Sequence, residues 1–164
     1  MRVSELDAVA QYVAGLPRKR VVAGVLFRSA DGRVLLVEPS YKANWEIPGG
    51  SVEADESPWD GAVRELREEL NWTGPLGRLL VIDHVPTQTT RPEALVFIFD
   101  GGVLTDGEAA ALKFPDGELV SAAFYTLAEA RTRLKPLLAD RITVATQAAA
   151  DGTTALCTYG KRVA

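Results

Sequence analysis

The chain is predicted to fold as a single mixed α/β (α+β) domain. Its 164 residues match one domain with a core of its own. Strand-like and helix-like runs alternate from end to end instead of segregating. No repeat, low-complexity tract or linker interrupts them, so residues 1–164 are expected to form one unit. A hydrophobic fraction of 47% and a charged fraction of 24% exclude a disordered or collagen-like chain.

The elements follow in order. Ser4 is a helix N-cap, and Leu6, Val9, Ala10 and Val13 recur at helical spacing over residues 4–15, predicting a short amphipathic N-terminal helix within 1–16. After Pro17 and the basic triplet Arg18-Lys19-Arg20, Val21–Phe27 is a buried strand. Asp31-Gly32 turns it into a hairpin with Arg33–Val37. Trp45-Glu46-Ile47 is expected as a short strand that stops at Pro48-Gly49-Gly50, a turn unsuited to a helix or a central strand. Residues 58–70 form the clearest helix. Leu76–Val85 and Ala94–Phe99 are strands joined by the polar loop Pro86–Pro92; weaker strands are expected at Ala110–Phe114 and Leu119–Tyr125, around a Pro115-Asp116-Gly117 turn. Helices follow within Leu127–Leu134 and Leu137–Ala150. The extension 151–164 holds a last strand or a dimer contact at Thr153–Tyr159.

Composition narrows the function. A lone Cys157 excludes a disulfide framework and a Cys-rich zinc site. No run approaches the ~20 apolar residues of a membrane span. Glu5 and Asp7 stand where a signal peptide is apolar, so a cytoplasmic location is expected. The net charge of −4 argues against general nucleic-acid binding. That charge is concentrated: Glu53–Glu69 holds seven acids and two bases, leaving the rest of the chain at +1.

The acidic segment contains the strongest helix. Ser57 is its N-cap, Pro58 its first residue, and Asp60 favours the positive end of the dipole. Trp59, Ala62, Val63, Leu66 and Leu70 share the arc that must bury, and Asp60, Arg64 and Arg67 fall broadly opposite. Glu65, Glu68 and Glu69 occupy a third arc at i, i+3 and i+4, where like charges repel by a few tenths of a kcal/mol per pair. Three carboxylates so placed suit a hard divalent cation such as Mg²⁺, which takes oxygen ligands. On spacing alone a solvated acidic face fits equally well.

The surroundings decide between the two. Gly50 is followed after five residues by Glu56, and after seven more by Arg64-Glu65-Leu66-Arg67-Glu68-Glu69-Leu70-Asn71-Trp72. This resembles the box of the Nudix hydrolase (MutT-like) family, G-x5-E-x7-R-E-U-x-E-E-x-G-U with U a bulky aliphatic; the flanking strand pattern extends the similarity across Val21–Leu134. The family's last glycine is Asn71 here, a residue that also adopts the left-handed helix end, and its last aliphatic is Trp72. Neither departure touches a carboxylate.

The resemblance implies an α/β/α sandwich with a mixed sheet, the box forming strand, loop and helix. It makes Glu65, Glu68 and Glu69 the ligands of Mg²⁺ (or Mn²⁺), with the Gly49 carbonyl as a further ligand. Arg64 and Glu56 would support that geometry, and Gly50, Trp45 and Glu118 would meet substrate. The implied reaction is metal-dependent hydrolysis of the diphosphate linkage in a nucleoside diphosphate derivative or nucleoside triphosphate. Glu68 or the loop residue Glu118 is the candidate base. Trp45 and Tyr41 precede the Gly-Gly turn and either stack on a base or, for Trp45, fill the core. His84 and Cys157 read first as structural. Pro86, about 15 residues beyond the box, is a weak pointer to ADP-ribose. The alternative is a non-catalytic domain binding nucleotide or ADP-ribose to regulate a partner, which would not need the box carboxylates. A small-molecule, nucleotide-type substrate and a homodimer complete the expectation.

Overall fold

The computed structural model describes residues 4–164. The element order is α1 (Glu5–Ala14), β1 (Arg20–Arg28), β2 (Val34–Pro39), β3 (Gly49–Ser51), α2 (Pro58–Leu70), β4 (Leu79–Val85), β5 (Ala94–Val103), α3 (Asp106–Ala110), β6 (Leu119–Tyr125), α4 (Leu127–Arg133), α5 (Pro136–Asp151), β7 (Ala155–Thr158) and β8 (Lys161–Arg162). The strands form one mixed sheet in the order β6-β2-β1-β5-β4-β7-β8, with β3 paired to β1 off that path. The β1–β5 and β4–β7 pairs are parallel and the others antiparallel.

Helices cover both faces. On one, Ala62, Leu66 and Leu70 of α2 bury against Ala23, Val25, Phe27, Leu35 and Val37. On the other, Ala139, Ile142, Ala145 and Ala148 of α5 bury against Val81, Val96 and Ile98. Alternate residues of β1 therefore feed opposite cores, which is why Val21–Phe27 is apolar on every position.

The device that opens the site is a split between β1 and β2. They pair beside the hairpin, at Arg28↔Val34, and then separate. The vacated edge of β1 is taken by β3, with Val22↔Ser51, Ala23↔Gly50 and Gly24↔Gly49.

The structure corrects several sequence expectations. Trp45-Glu46-Ile47 is no strand; it makes one bridge, Val37↔Glu46. The strand is instead Gly49-Gly50-Ser51, the predicted turn. Gly49 takes φ 143°, and a Cβ there would overlap the Ala23 carbonyl, so only glycine permits this close pairing. Ala110–Phe114 is no strand either. Thr105 and Glu108 form a reciprocal capping box that starts α3, a local signal stronger than the apolar run behind it. The N-terminal helix forms on its Ser4–Asp7 capping box, but none of its residues is buried. Leu6, Val9, Tyr12 and Val13 are exposed, because the helix leaves the sheet instead of packing on it. The C-terminal extension adds β7 and β8 to the sheet.

Candidate functional site

Helix α2 is delimited by local chemistry. Ser57 Oγ accepts from the Asp60 amide at 3.1 Å, and Pro58 occupies the first turn. Asn71 ends the helix in the left-handed conformation at φ 52°, and its amide donates to the Arg67 carbonyl at 3.1 Å. Between these ends the predicted inner arc is observed for Ala62, Leu66 and Leu70, which are buried. Val63 is half-buried, and Trp59 stays 42% exposed while its ring meets Phe99 edge-on at 5.4 Å.

The third arc does not behave as one face. Glu68 is exposed, Glu65 is mostly covered, and Glu69 is buried at 6% exposure. Gly49 donates its amide to Glu69 Oε2 at 3.0 Å. No basic side chain pairs with Glu69 among the described residues. Burial pushes its carboxyl up to about 8, with the charges of Glu65, Asp116 and Glu118 adding to the rise and the Gly49 bond opposing it. Burial also raises Glu65, against the pull of Arg64. Gly50 lies against Glu65 so closely that a Cβ would overlap its carboxylate.

Arg64 does not point outward with Arg67. Its Nε and Nη2 donate to Glu56 at 2.8 and 3.0 Å, and Nη2 also donates to the Ser51 carbonyl at 3.0 Å. Nη1 donates to Glu65 at 3.0 Å and Glu68 at 3.2 Å. The guanidinium fork thus ties the β3 end, the connecting loop and α2 together. It holds Glu56 below the usual carboxylate range, and its own pKa is raised. Three carboxylates and a carbonyl are thus already on Arg64.

Gly49, Gly50, Glu65, Glu69, Trp45 and Glu118 line one cavity of about 730 Å³, together with Tyr41 and Pro86. Glu68 and Arg64 are not in its wall. Glu118, just before β6, is held at the end of β2, where the Ser40 amide donates to its carbonyl at 2.8 Å. Trp45 takes the core role. Its ring packs edge-on against Tyr125 at 5.4 Å and joins the α5-side core, and it lines the cavity. His84 lies away from this wall, its Nε2 3.0 Å from Glu93 Oε2. Cys157 is fully buried, and burial pushes its thiol up.

Among the described residues, no three of His, Cys, Asp and Glu converge as a ready-made metal cluster. The donor set still fits a hard divalent ion. Two desolvated carboxylates, Glu65 and Glu69, flank the Gly49-Gly50 backbone, and a cation beside them would offset the charge that burial penalises.

The cavity wall also carries basic residues that sequence reasoning missed. Arg20, Arg91, Lys135 and Arg141 border the same cavity. Arg141 is an arginine inside the apolar run of α5, next to Ile142, and that position was the available signal.

Comparison with known proteins places the fold in a family. The NUDIX domain family matches residues 18–145, and the chain belongs to that family. Diphosphoinositol polyphosphate phosphohydrolase 2 of Mus musculus is 47% identical over 66 residues, 39% of this chain and 37% of that protein. Diphosphoinositol polyphosphate phosphohydrolase 3-alpha of Homo sapiens is 47% identical over 64 residues, 38% of this chain and 39% of that protein. The similarity thus spans under two fifths of these relatives' length. Among solved structures, the MutT protein from Methanosarcina mazei Go1 superposes with TM-score 0.63 at 22% identity, covering 84% of this chain and 99% of that one. The NUDIX domain of Shewanella oneidensis NrtR, complexed with ADP ribose, superposes with TM-score 0.68 at 19% identity, covering 92% and 100%. These structures share the fold. No described helix is long and apolar enough to cross a membrane.

Proposed function

We propose that this chain hydrolyses the diphosphate linkage of a nucleoside diphosphate derivative or nucleoside triphosphate, with Mg²⁺ (or Mn²⁺) as cofactor. The observation that carries the reading is Glu69, a buried carboxylate without a basic partner among the described residues, lining a cavity together with Gly49 and Gly50. A structural carboxylate so buried is ordinarily paired with a base. This one has only the Gly49 amide.

Glu65 and Glu69 would hold the ion from inside the cavity wall and Glu68 from its exposed rim, with the Gly49 carbonyl as a further ligand. The ion supplies neutralisation of diphosphate charge and activation of water. The chain's own residues do the rest. Gly49 and Gly50 lack Cβ atoms and let phosphate oxygens approach the strand. Arg64 fixes Glu56, Glu65 and Glu68 relative to one another before substrate arrives. Glu68, exposed and held by Arg64, is the first candidate to take a proton from the attacking water, and Glu118, which lines the cavity, is the second. Trp45 and Tyr41 offer aromatic surface to a base or sugar.

Relatives named as phosphohydrolases support cleavage, and the ADP-ribose complex of a structural neighbour supports a nucleotide-type ligand. Retention of every box carboxylate favours catalysis over a regulatory binding role. The test is phosphate release from a panel of nucleoside diphosphate derivatives and triphosphates, with Mg²⁺, Mn²⁺ or EDTA. Cleavage of at least one compound in metal and none in EDTA is expected. No cleavage with either metal would leave the binding-domain reading in its place.

A further inference from the structure

We propose that Arg141, clamped by Asp83, is a specificity-determining residue that binds a second phosphate group of the substrate, remote from the diphosphate being cleaved. The inference rests on the hydrolase reading for its substrate but on separate residues for its geometry.

Asp83, on β4, is fully buried, and Arg141 is 7% exposed. Arg141 Nε donates to Asp83 Oδ2 at 2.8 Å, and Nη2 lies 2.7 Å from the same oxygen. The Gly160 amide donates to both Asp83 oxygens at 3.0 and 3.1 Å. The carboxylate is therefore fully engaged, and it fixes the guanidinium plane. Arg141 Nη1 has no protein partner among the described residues, while the residue lines the cavity. A buried ion pair is a poor source of stability compared with apolar packing of similar size. Its arrangement makes sense as a rigid presentation of one guanidinium edge to a ligand, and planar arginine forks suit phosphate oxygens.

The surroundings have the same sign. Lys135, at the N-cap of the 16-residue helix α5, makes no cap hydrogen bond and borders the cavity beside Arg141. Arg91 is exposed on the same rim, and neither side chain has an acidic partner among the described residues. Arg20 is steadied on this side by donating to the Pro92 carbonyl at 3.2 and 3.1 Å.

The same cavity wall thus holds the acids Glu65, Glu69 and Glu118 and, around Arg141, the bases Arg91 and Lys135. Gly49-Gly50, against which Glu65 and Glu69 lie, is on β3, and Asp83, which fixes Arg141, is on β4; β1 and β5 separate these two strands. Three strand spacings are on the order of 14 Å, beyond the span of a diphosphate itself. The ligand that satisfies both groups is a diphosphate whose attached body bears a further phosphate ester.

Two measurements test this on the full chain. In EDTA, titration calorimetry with inositol hexakisphosphate, which has no diphosphate to cleave, should show binding that Arg141→Lys weakens by about tenfold or more. Lysine keeps a cation beside Asp83 and removes the spare nitrogen. The rim double variant R91Q/K135Q, on exposed positions, should weaken it too and covers the case in which R141K does not fold. With Mg²⁺, kcat/KM for 2′-phospho-ADP-ribose should exceed that for ADP-ribose by about tenfold, and R141K should bring the ratio to near one. Binding of inositol hexakisphosphate that is absent, or indifferent to both variants, overturns the proposal, as does a ratio that R141K leaves intact. If Arg141-dependent binding is found but no compound is cleaved, the anion site stands and the hydrolase reading fails.

Discussion

The Gly49 amide donates to Glu69 Oε2 at 3.0 Å, among the described residues the one hydrogen bond to a carboxylate that is buried without a basic partner. The bond joins the strand that fills the β1–β2 split to the helix that carries the acidic cluster. It explains how three glutamates spaced as neighbours on α2 come to have three different environments. Glu69 is drawn into the interior, Glu65 is mostly covered against Gly50, and Glu68 stays exposed.

Glu69→Gln should reduce turnover by about 100-fold or more, since the amide keeps the shape but loses the anionic ligand. Glu68→Gln should also lose most turnover. In EDTA the Glu69→Gln protein should not melt below the wild type, because the amide is buried without having to take up a proton; the Glu68→Gln protein should melt close to it, because relief of like-charge repulsion offsets the exposed Arg64 pair, each worth a few tenths of a kcal/mol. Initial rates beside thermal melts check this; a destabilised Glu68→Gln protein in EDTA would mark that carboxylate as structural.

Metal-free stability should fall with pH through the window set by Glu69. Its carboxyl rises from 4.5 to about 8 on folding, so the folded chain holds its proton where the unfolded chain has lost it. That contribution is fully present below pH 4.5 and is lost as pH rises through about 8. Denaturant midpoints in EDTA across this range should slope downward for the wild type more than for Glu69→Gln. Saturating Mg²⁺ should reduce the difference. Parallel slopes for the two proteins in EDTA would remove Glu69 as the titrating group.

The two glycines should fail differently. Gly49→Ala places a Cβ on the Ala23 carbonyl, a backbone obstacle, at φ 143°, and should destabilise the fold by about 3 kcal/mol or more. Gly50→Ala meets only the movable Glu65 carboxylate, so the protein should fold with a nearly unchanged melt and lose activity. Equal melting losses would show that Gly50 is also a packing position.

Arg64→Lys should lower both melting temperature and rate, because one ammonium cannot serve Glu56, Glu65, Glu68 and the Ser51 carbonyl together. Arg67→Gln, on an exposed position of the same helix, should cost at most about 1 kcal/mol through the helix dipole and leave the rate alone. Melts and steady-state rates of both variants separate positioning from simple charge.

Short-range chemistry made much of this molecule legible in its sequence. Helix α2 begins at Ser57-Pro58 and ends at Asn71 because caps and left-handed residues act within a few positions of themselves. The β1–β2 hairpin, the strand at Leu119–Tyr125 and the box spacing are equally local, and the NUDIX family assignment follows from the last of these. Tertiary structure decided what depends on distant partners. Gly49-Gly50 becomes a strand only because β1 and β2 separate and leave an edge to pair. Arg64 turns inward because Glu56 and Ser51 arrive beside it, overriding the helical wheel. Asp83 and Arg141 lie 58 residues apart, and periodicity carries no information about such a pair. Hydrogen bonds and dihedral preferences act over a turn or two of chain, whereas burial is set by whichever elements the completed sheet brings together.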